Sequence, residues 1–449
     1  MRILIGTSDH DLEQLTRSTL ERFKYELVCV DNGFDVFQQV ISAKFQLLIL
    51  DFHLLRMAAP EVLRRIQALQ NFQAPPVLCL TSSEGQRKTL EQGHFKKIEI
   101  ISKPFPVREF VEKVRRSLHE ETRVVCLGGG TGLFTLLSGL KTLAGVRLTS
   151  IVSMSDDGGS TGRLRHMFGV LPPGDIRRSL VALSAAPDLV NELIQFRFER
   201  GGELAGHTLG NLLLTALCEM RGGMTPAVHA LGEILDIQGE VIPVTENLNT
   251  LYAELENGET LKGESAIDLF ESADPSIRIR KLWQEPEAAA HPEALEALWN
   301  AKYIILGPGD LFTSVVSNLI VRGIAESIAA SPARKIYICN LMTEPGETNQ
   351  FQVSDHIAEI IKYLGKDCLD AVLCSSTRFS DAALALYSKR KQAPVSQKDA
   401  AALPGLTRAK IYWEDIASEE ELVRHDALKL AGALKKILDE GMREGRPVA

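Results

Sequence analysis

The chain has 449 residues, of which 45% are hydrophobic and 24% charged, and a net charge of −8. That length supports two or three domains, each with a core of its own, and the composition is that of an ordinary globular protein. The acidic balance excludes a general nucleic-acid binder, which carries a basic face, and no apolar run approaches the roughly 18 residues that span a bilayer.

In chain order, Met1-Arg2-Ile3-Leu4-Ile5 starts a strand at once, without the apolar stretch of a secretory leader. The seven cysteines are scattered with no C-x-x-C pair, as expected of reduced thiols in a cytoplasmic protein. Apolar runs at 3–5, 27–30, 47–50, 77–80 and 98–101 alternate with stretches of helical periodicity such as Val62, Ile66 and Leu69. Five β/α repeats predict a doubly wound, five-stranded parallel domain over residues 1–118. Ligands of such sheets sit beyond the C-terminal strand ends, where Asp51, Thr81 and Lys103 fall.

On those three residues, in that order and spacing, the segment resembles the receiver (flavodoxin-like) domain of response regulators. The resemblance implies that Asp51 accepts a phosphoryl group from a histidine kinase and that Thr81 and Lys103 sense the new charge. One departure stands out. Receivers end their first strand with an acidic pair that holds Mg²⁺, whereas this chain has Thr7-Ser8, with Asp9 one place further on. Without two carboxylates a hard divalent cation loses most of its protein ligands. Two readings follow, a phosphoacceptor domain and a degenerate receiver used for dimerisation or docking. Residues 119–123 read as a short polar linker, and no helix-turn-helix pattern follows.

Residues 124–449 again alternate strands and helices, with strand candidates at 124–127, 148–154, 303–306, 336–339 and 371–373. The first leads into Gly128-Gly129-Gly130-Thr131-Gly132 and an apolar helix, a strand–glycine loop–helix unit. Such a loop brings backbone N–H groups and a helix N-terminus to a phosphate. It lacks the third glycine of G-x-G-x-x-G and the Walker lysine, so by itself it is equally a tight turn. Asp156 and Asp157 follow the next strand, placed either for an Asx turn or for Mg²⁺ or a ribose hydroxyl. Arg163, Arg165, Arg177 and Arg178 are either solvated or placed for bidentate phosphate contacts, the first three being the expected neutralisers, and Asp175 lies in the same Pro-Gly-Asp turn as Arg177. His207 and Asn211 open an apolar helix, as cap and core or as sugar contacts. Gly307, Pro308 and Gly309 with Thr313 and Ser314 form a second turn before a helix, an anion nest or a capped start. Asn340 ends the next strand. The acidic run Glu419-Glu420-Glu421 after Ser418 reads as a capped, solvated helix start.

Taken together, these loops resemble the gluconeogenesis factor (YvcK) family of the CofD-like superfamily, from about Val124 through His425-Asp426. Asp310 stands where that family usually has Ser, Phe312 where Tyr is usual, and Ser317 where Pro is usual. The Phe312 change removes a hydroxyl from the expected cleft. The resemblance implies a Rossmann-like CofD fold that binds a nucleotide sugar, UDP-N-acetylglucosamine. It also implies regulation that couples carbon status to an enzyme of cell-envelope precursor synthesis and to cell shape. Three functions remain in view. The first is a non-enzymatic nucleotide-sugar-binding regulator, and we expect it as a homo-oligomer. The second is a Mg²⁺-dependent CofD-like transferase using Asp156 and Asp157. The third is a two-component output protein switched at Asp51.

Overall fold

Each apolar run of the first hundred residues becomes a strand. In the computed structural model these are β1 (Arg2–Gly6), β2 (Glu26–Val30), β3 (Leu47–Asp51), β4 (Val77–Thr81) and β5 (Ile98–Ser102). They form one parallel sheet in the order β2-β1-β3-β4-β5. Strands β3 and β4 are buried along their whole length, as continuous apolar runs in a sheet covered on both faces must be. Alternation along a strand divides the core in two. Leu4, Leu48, Leu50 and Val62 pack on one face, and Ile3, Ile5, Ile49 and Phe110 on the other.

The structure describes the chain except residues 22, 24, 70, 71, 73, 94, 96, 97, 119, 120, 271–273, 275, 420, 421 and 444–449. It divides into Met1–Glu121 and Thr122–Ala449. The second unit's first strand, β6 (Thr122–Gly128), begins inside the stretch expected as linker, because Thr122 and Arg123 pair with Val146 and Arg147 of β7 (Val146–Val152). Next come β8 (Glu240–Pro243), β9 (Thr250–Leu255), β10 (Thr260–Lys262) and β11 (Ile279–Glu285). They are followed by β12 (Tyr303–Leu306), β13 (Arg334–Ile338), β14 (Ala371–Ser375) and β15 (Lys410–Glu414). Seven of these strands make a parallel sheet in the order β15-β14-β13-β12-β6-β7-β8. Strands β9, β10 and β11 form a separate antiparallel sheet.

From β6 the chain steps to β7 on one side, and β12 later pairs with β6 on the other. The crevice beyond the C-terminal ends of β6 and β12 is therefore the switch point at which open α/β sheets take ligands. Glu419, the described residue of the acidic run, is not in a helix. Ser418 is in a short strand, and the Glu419 carboxylate accepts the N–H of Ser380, the N-cap of helix Asp381–Lys389. Glu420 and Glu421 lie outside the described residues. Among the described residues no helix is long and apolar enough to cross a membrane.

Candidate functional site

Two glycine turns face each other at the switch point. The turn after β6 enters helix Gly130–Leu140, and Gly130 takes φ +63° to make it. A Cβ on Gly132 would lie 2.4 Å from the carbonyl oxygen of Pro308 in the turn after β12, so only glycine lets the two turns approach this closely. The Asn318 amide ties them by donating to the Gly128 carbonyl (3.2 Å) and the Ser314 carbonyl (2.8 Å). The Asn340 side chain, just past β13, donates to the Gly309 carbonyl (2.9 Å). Thr313 faces inward, donating its hydroxyl to the buried Glu347 carboxylate (2.5 Å), which also accepts the Phe312 N–H (2.9 Å). Phe312 is fully buried against Phe351. A hydroxyl at this position would therefore lie in the core, not in the cleft as expected.

A cleft of about 390 Å³ opens between these turns. Of the residues singled out in the sequence, Gly129, Gly130, Thr131, Gly132, Asp156, Asp175, Gly309, Ser314 and Asn340 line it. Asp175 Oδ2 accepts the Gly130 N–H at 2.8 Å, and Arg178 stands 3.6 Å from the other oxygen of Asp175. Asp156 accepts the Gly158 N–H (2.9 Å) and still faces the cleft.

The remaining residues do not line it. Asp157 accepts the Ser265 N–H (2.8 Å) and so holds the start of helix Glu264–Asp268. Arg163 donates to the Ala205 carbonyl (2.7 Å) and Arg165 to the Asn249 carbonyl. Arg177, His207 and Asn211 do come together, but as a buried network. Arg177 Nε donates to Asn211 Oδ1 (2.9 Å), the Asn211 amide to Ser160 (3.2 Å), and Ser160 pairs with His207 Nδ1 (2.8 Å). Burial, then the neighbouring charges of Arg178 and Arg197, lowers Arg177 to about 10. Burial, then Arg163 and Arg197, holds His207 below its usual value. Each network member satisfies another, which is the condition for keeping polar groups inside a protein.

The sequence reading missed much of the lining. Glu264, Asp268 and Glu344 enter the cleft beside Asp310, with Arg178 and Arg424 as its cations; His425 also lines it, but burial lowers its imidazole to about 4 and leaves it neutral. The one legible hint was Glu264 and Asp268 at i and i+4, the spacing that puts both on one face of a helical turn. Six carboxylates now share one cleft, and their charges oppose one another. Burial, then Asp175, raises Asp156 to about 6. Burial, then Asp156 and Asp268, raises Glu264 to about 9. Burial, then Asp310, raises Glu344 to about 7. Asp310 is raised by burial and then by Asp268 and Asp175. Near neutral pH such a cleft holds protons or takes up cationic charge.

In the first unit, Lys103 Nζ lies 3.0 Å from both oxygens of Asp51, and Thr7 donates to Asp51 Oδ2 at 3.3 Å. Thr81 is buried at the end of β4, its hydroxyl turned to the Ile101 carbonyl (3.4 Å). Asp9 accepts the Leu12 N–H (3.1 Å) and so is spent on the following helix.

The parallel sheet, the switch-point cleft and the facing glycine turns define the second unit as a CofD-like α/β domain, preceded by a receiver domain. Residues 124–411 match the family described as 2-phospho-L-lactate transferase CofD, and residues 3–115 match the response regulator receiver domain. The chain is 37% identical over 322 residues to the gluconeogenesis factor of Bacillus subtilis, covering 72% of this chain and 99% of that one. It is 40% identical over 323 residues to that of Listeria monocytogenes, covering 72% and 97%. A crystal structure of a UPF0052 family protein from Bacillus halodurans superposes with a TM-score of 0.65 at 39% identity, over 70% of this chain and 99% of that one. The chain belongs to the gluconeogenesis factor family, whose members named here have no counterpart of its remaining quarter.

Proposed function

We propose that the switch-point cleft binds a nucleotide sugar of the UDP-N-acetylglucosamine type and that the chain is a cytoplasmic, ligand-responsive regulator. On this reading it acts on an enzyme of cell-envelope precursor synthesis and so links carbon metabolism to envelope synthesis and cell shape. The observation that carries the reading is the pair of glycine turns closed against each other at the crevice between β6 and β12, beside a cleft of about 390 Å³. That volume lies in the range of small-molecule sites. Arg178 and Arg424 are the cations available to a diphosphate, and Ser314 and Asn340 are hydrogen-bonding groups for hydroxyls.

The acids of the cleft bear on the cofactor. A diphosphate entering among six carboxylates needs compensating positive charge. The donor set is all hard oxygen, which suits Mg²⁺, a cation held through one or two carboxylates plus phosphate oxygens. Asp156, which faces the cleft beside the glycine loop, is the carboxylate that would hold it, with at most one neighbour among Glu264, Asp268 and Asp310. Among the described residues no three side chains of the His, Cys, Asp or Glu type are arranged to hold a metal ion by themselves. Calorimetric titration with UDP-N-acetylglucosamine, with and without Mg²⁺ and against GDP and NAD, tests this. Tight, Mg²⁺-enhanced binding of the UDP-sugar is expected, and absence of binding refutes it.

The second reading, a CofD-like transferase, is favoured by Asp156 and Glu344, whose values near 6 and 7 suit proton transfer at neutral pH. It requires turnover of the nucleotide-activated donor with an acceptor, lost in Asp156→Asn while ligand binding is largely kept. A protein that binds without turnover under any acceptor excludes it.

A further inference from the structure

Asp156 faces the cleft, and its carboxylate is held from behind on both sides. Oδ1 accepts the Gly158 N–H at 2.9 Å. The Thr161 hydroxyl, on the first turn of helix Gly159–Phe168 and buried, faces the same carboxylate as a donor. Gly174 marks the place where the two side chains meet. A Cβ there would lie 2.6 Å from Thr161 Oγ1 and 2.8 Å from Asp156 Oδ2, so the pair fills the room that the glycine leaves open. Gly174 stands on the first turn of helix Pro173–Leu183, where alanine suits a helix better than glycine. The missing side chain is what lets Thr161 and Asp156 meet. Thr161 itself is not among the residues that line the cleft.

We infer that Thr161 is a positioning residue, which sets the rotation of the Asp156 carboxylate so that its remaining lone pairs meet a hard cation in the cleft. The inference rests on the reading that the cleft takes a nucleotide sugar together with Mg²⁺. The terminal torsion of an aspartate is broad and roughly two-fold, and one N–H on one oxygen leaves the carboxylate free to swing. A second donor beside the other oxygen stops it. Mg²⁺ demands near-ideal octahedral geometry, so a carboxylate that swings binds it poorly. Donors placed behind a metal ligand in this way are worth roughly 10- to 100-fold in metal affinity.

Calorimetric titration of the full chain with UDP-N-acetylglucosamine over a series of Mg²⁺ concentrations tests the inference. Thr161→Val exchanges the hydroxyl for a methyl group and keeps the branched shape. It is expected to raise the Mg²⁺ concentration for half-maximal enhancement by about tenfold or more, with the Mg²⁺-free affinity unchanged. Thr161→Ser keeps the hydroxyl and is expected to retain the wild-type Mg²⁺ dependence. Gly174→Ala drives a methyl group between the pair with both residues intact. It is expected to reproduce the Thr161→Val result, and it decides the matter if Thr161→Val misfolds. An unchanged Mg²⁺ requirement in these variants overturns the inference, as do equal losses of affinity with and without Mg²⁺, the mark of a threonine that serves only the fold. A wild type that binds the UDP-sugar regardless of Mg²⁺ overturns it while the nucleotide-sugar reading stands, whereas a wild type that binds no UDP-sugar refutes that reading and this inference together.

Discussion

Asp175 places a carboxylate oxygen 2.8 Å from the Gly130 N–H, so the helix N-terminus exposed by the glycine loop already carries an anion. A phosphate arriving there meets a like charge where the bare motif would offer only partial positive charge. Asp175→Asn keeps an oxygen acceptor for Gly130 and removes the charge. Its Mg²⁺-free affinity for the nucleotide sugar is expected to rise about tenfold, roughly 1.4 kcal/mol for one like charge a few ångströms away in a partly solvated site. The enhancement by Mg²⁺ should shrink in parallel. Calorimetry on the variant, with and without the cation, reads both, and an unchanged Mg²⁺-free affinity would place the ligand's phosphates away from this helix end.

The fold was legible where burial is continuous. The central strands of both units, such as the fully buried β3 and β4, read as apolar runs because both faces of a parallel sheet are covered, while the partly buried β2 and β5 were legible from their apolar composition. The edge strands of the second sheet were not legible. Strand β8 has only Val241 and Ile242 between Glu240 and Pro243, and β15 is half-buried as Lys-Ile-Tyr-Trp-Glu. The glycine turns were legible because close backbone approach admits no other residue. Polar residues were harder. Arg177, Asn211 and His207 look in sequence like ligand contacts, yet they satisfy one another in the interior. Glu264, Asp268 and Glu344 look like surface acids, yet long-range packing turns them into the cleft. A polar side chain's surroundings depend on tertiary contacts that local spacing does not encode.

Two glycine substitutions separate binding from stability. A Cβ on Gly130 meets nothing nearer than 3.8 Å and points among cleft groups, Arg178 and Ser314. Gly130→Val therefore costs about 1–2 kcal/mol of backbone strain at φ +63° and is expected to reduce ligand affinity by more than the roughly tenfold that strain explains. Gly132→Ala drives a Cβ to 2.4 Å from the Pro308 carbonyl oxygen. It is expected to destabilise the second unit by about 1–3 kcal/mol, as overpacking does, before any effect on binding is counted. Melts give each variant's loss of stability and titrations its loss of affinity, and a Gly130→Val that binds the ligand as well as Gly132→Ala does would contradict the placement of Gly130 in the cleft.

The raised acids make stability pH-dependent with a definite sign. Glu264 titrates near 4.5 when unfolded and about 9 when folded, Glu344 near 4.5 and about 7, and Asp156 near 3.8 and about 6. Between those values the folded chain binds more protons than the unfolded chain, so stability falls as pH rises. The melting temperature of the second unit is expected to decline from about pH 5 to about pH 9, most gradually for the share owed to Glu264. Glu264→Gln removes that share and should melt on the order of 2–4 °C above wild type at the alkaline end, with little difference at the acid end. Mg²⁺ should flatten the wild-type profile, and a stability that rises with pH over this window would contradict the shared-acid description of the cleft.

The receiver's acceptor is already paired. Lys103 reaches both oxygens of Asp51 at 3.0 Å, Thr7 adds a hydrogen bond, and Asp9 caps the next helix. With no carboxylate pair at Thr7-Ser8, Mg²⁺ has one protein carboxylate to bind here, fewer than phosphoryl transfer to Asp51 needs. Incubation with radiolabelled acetyl phosphate and Mg²⁺ is therefore expected to leave Asp51 unlabelled and the ligand affinity of the second unit unchanged. Thr7→Asp with Ser8→Asp rebuilds the acidic pair and is expected to produce label that Asp51→Asn removes. Label on the wild-type chain that depends on Asp51 and alters either ligand affinity or oligomeric state would instead establish a phosphorylation-controlled output protein, with a histidine kinase as its donor.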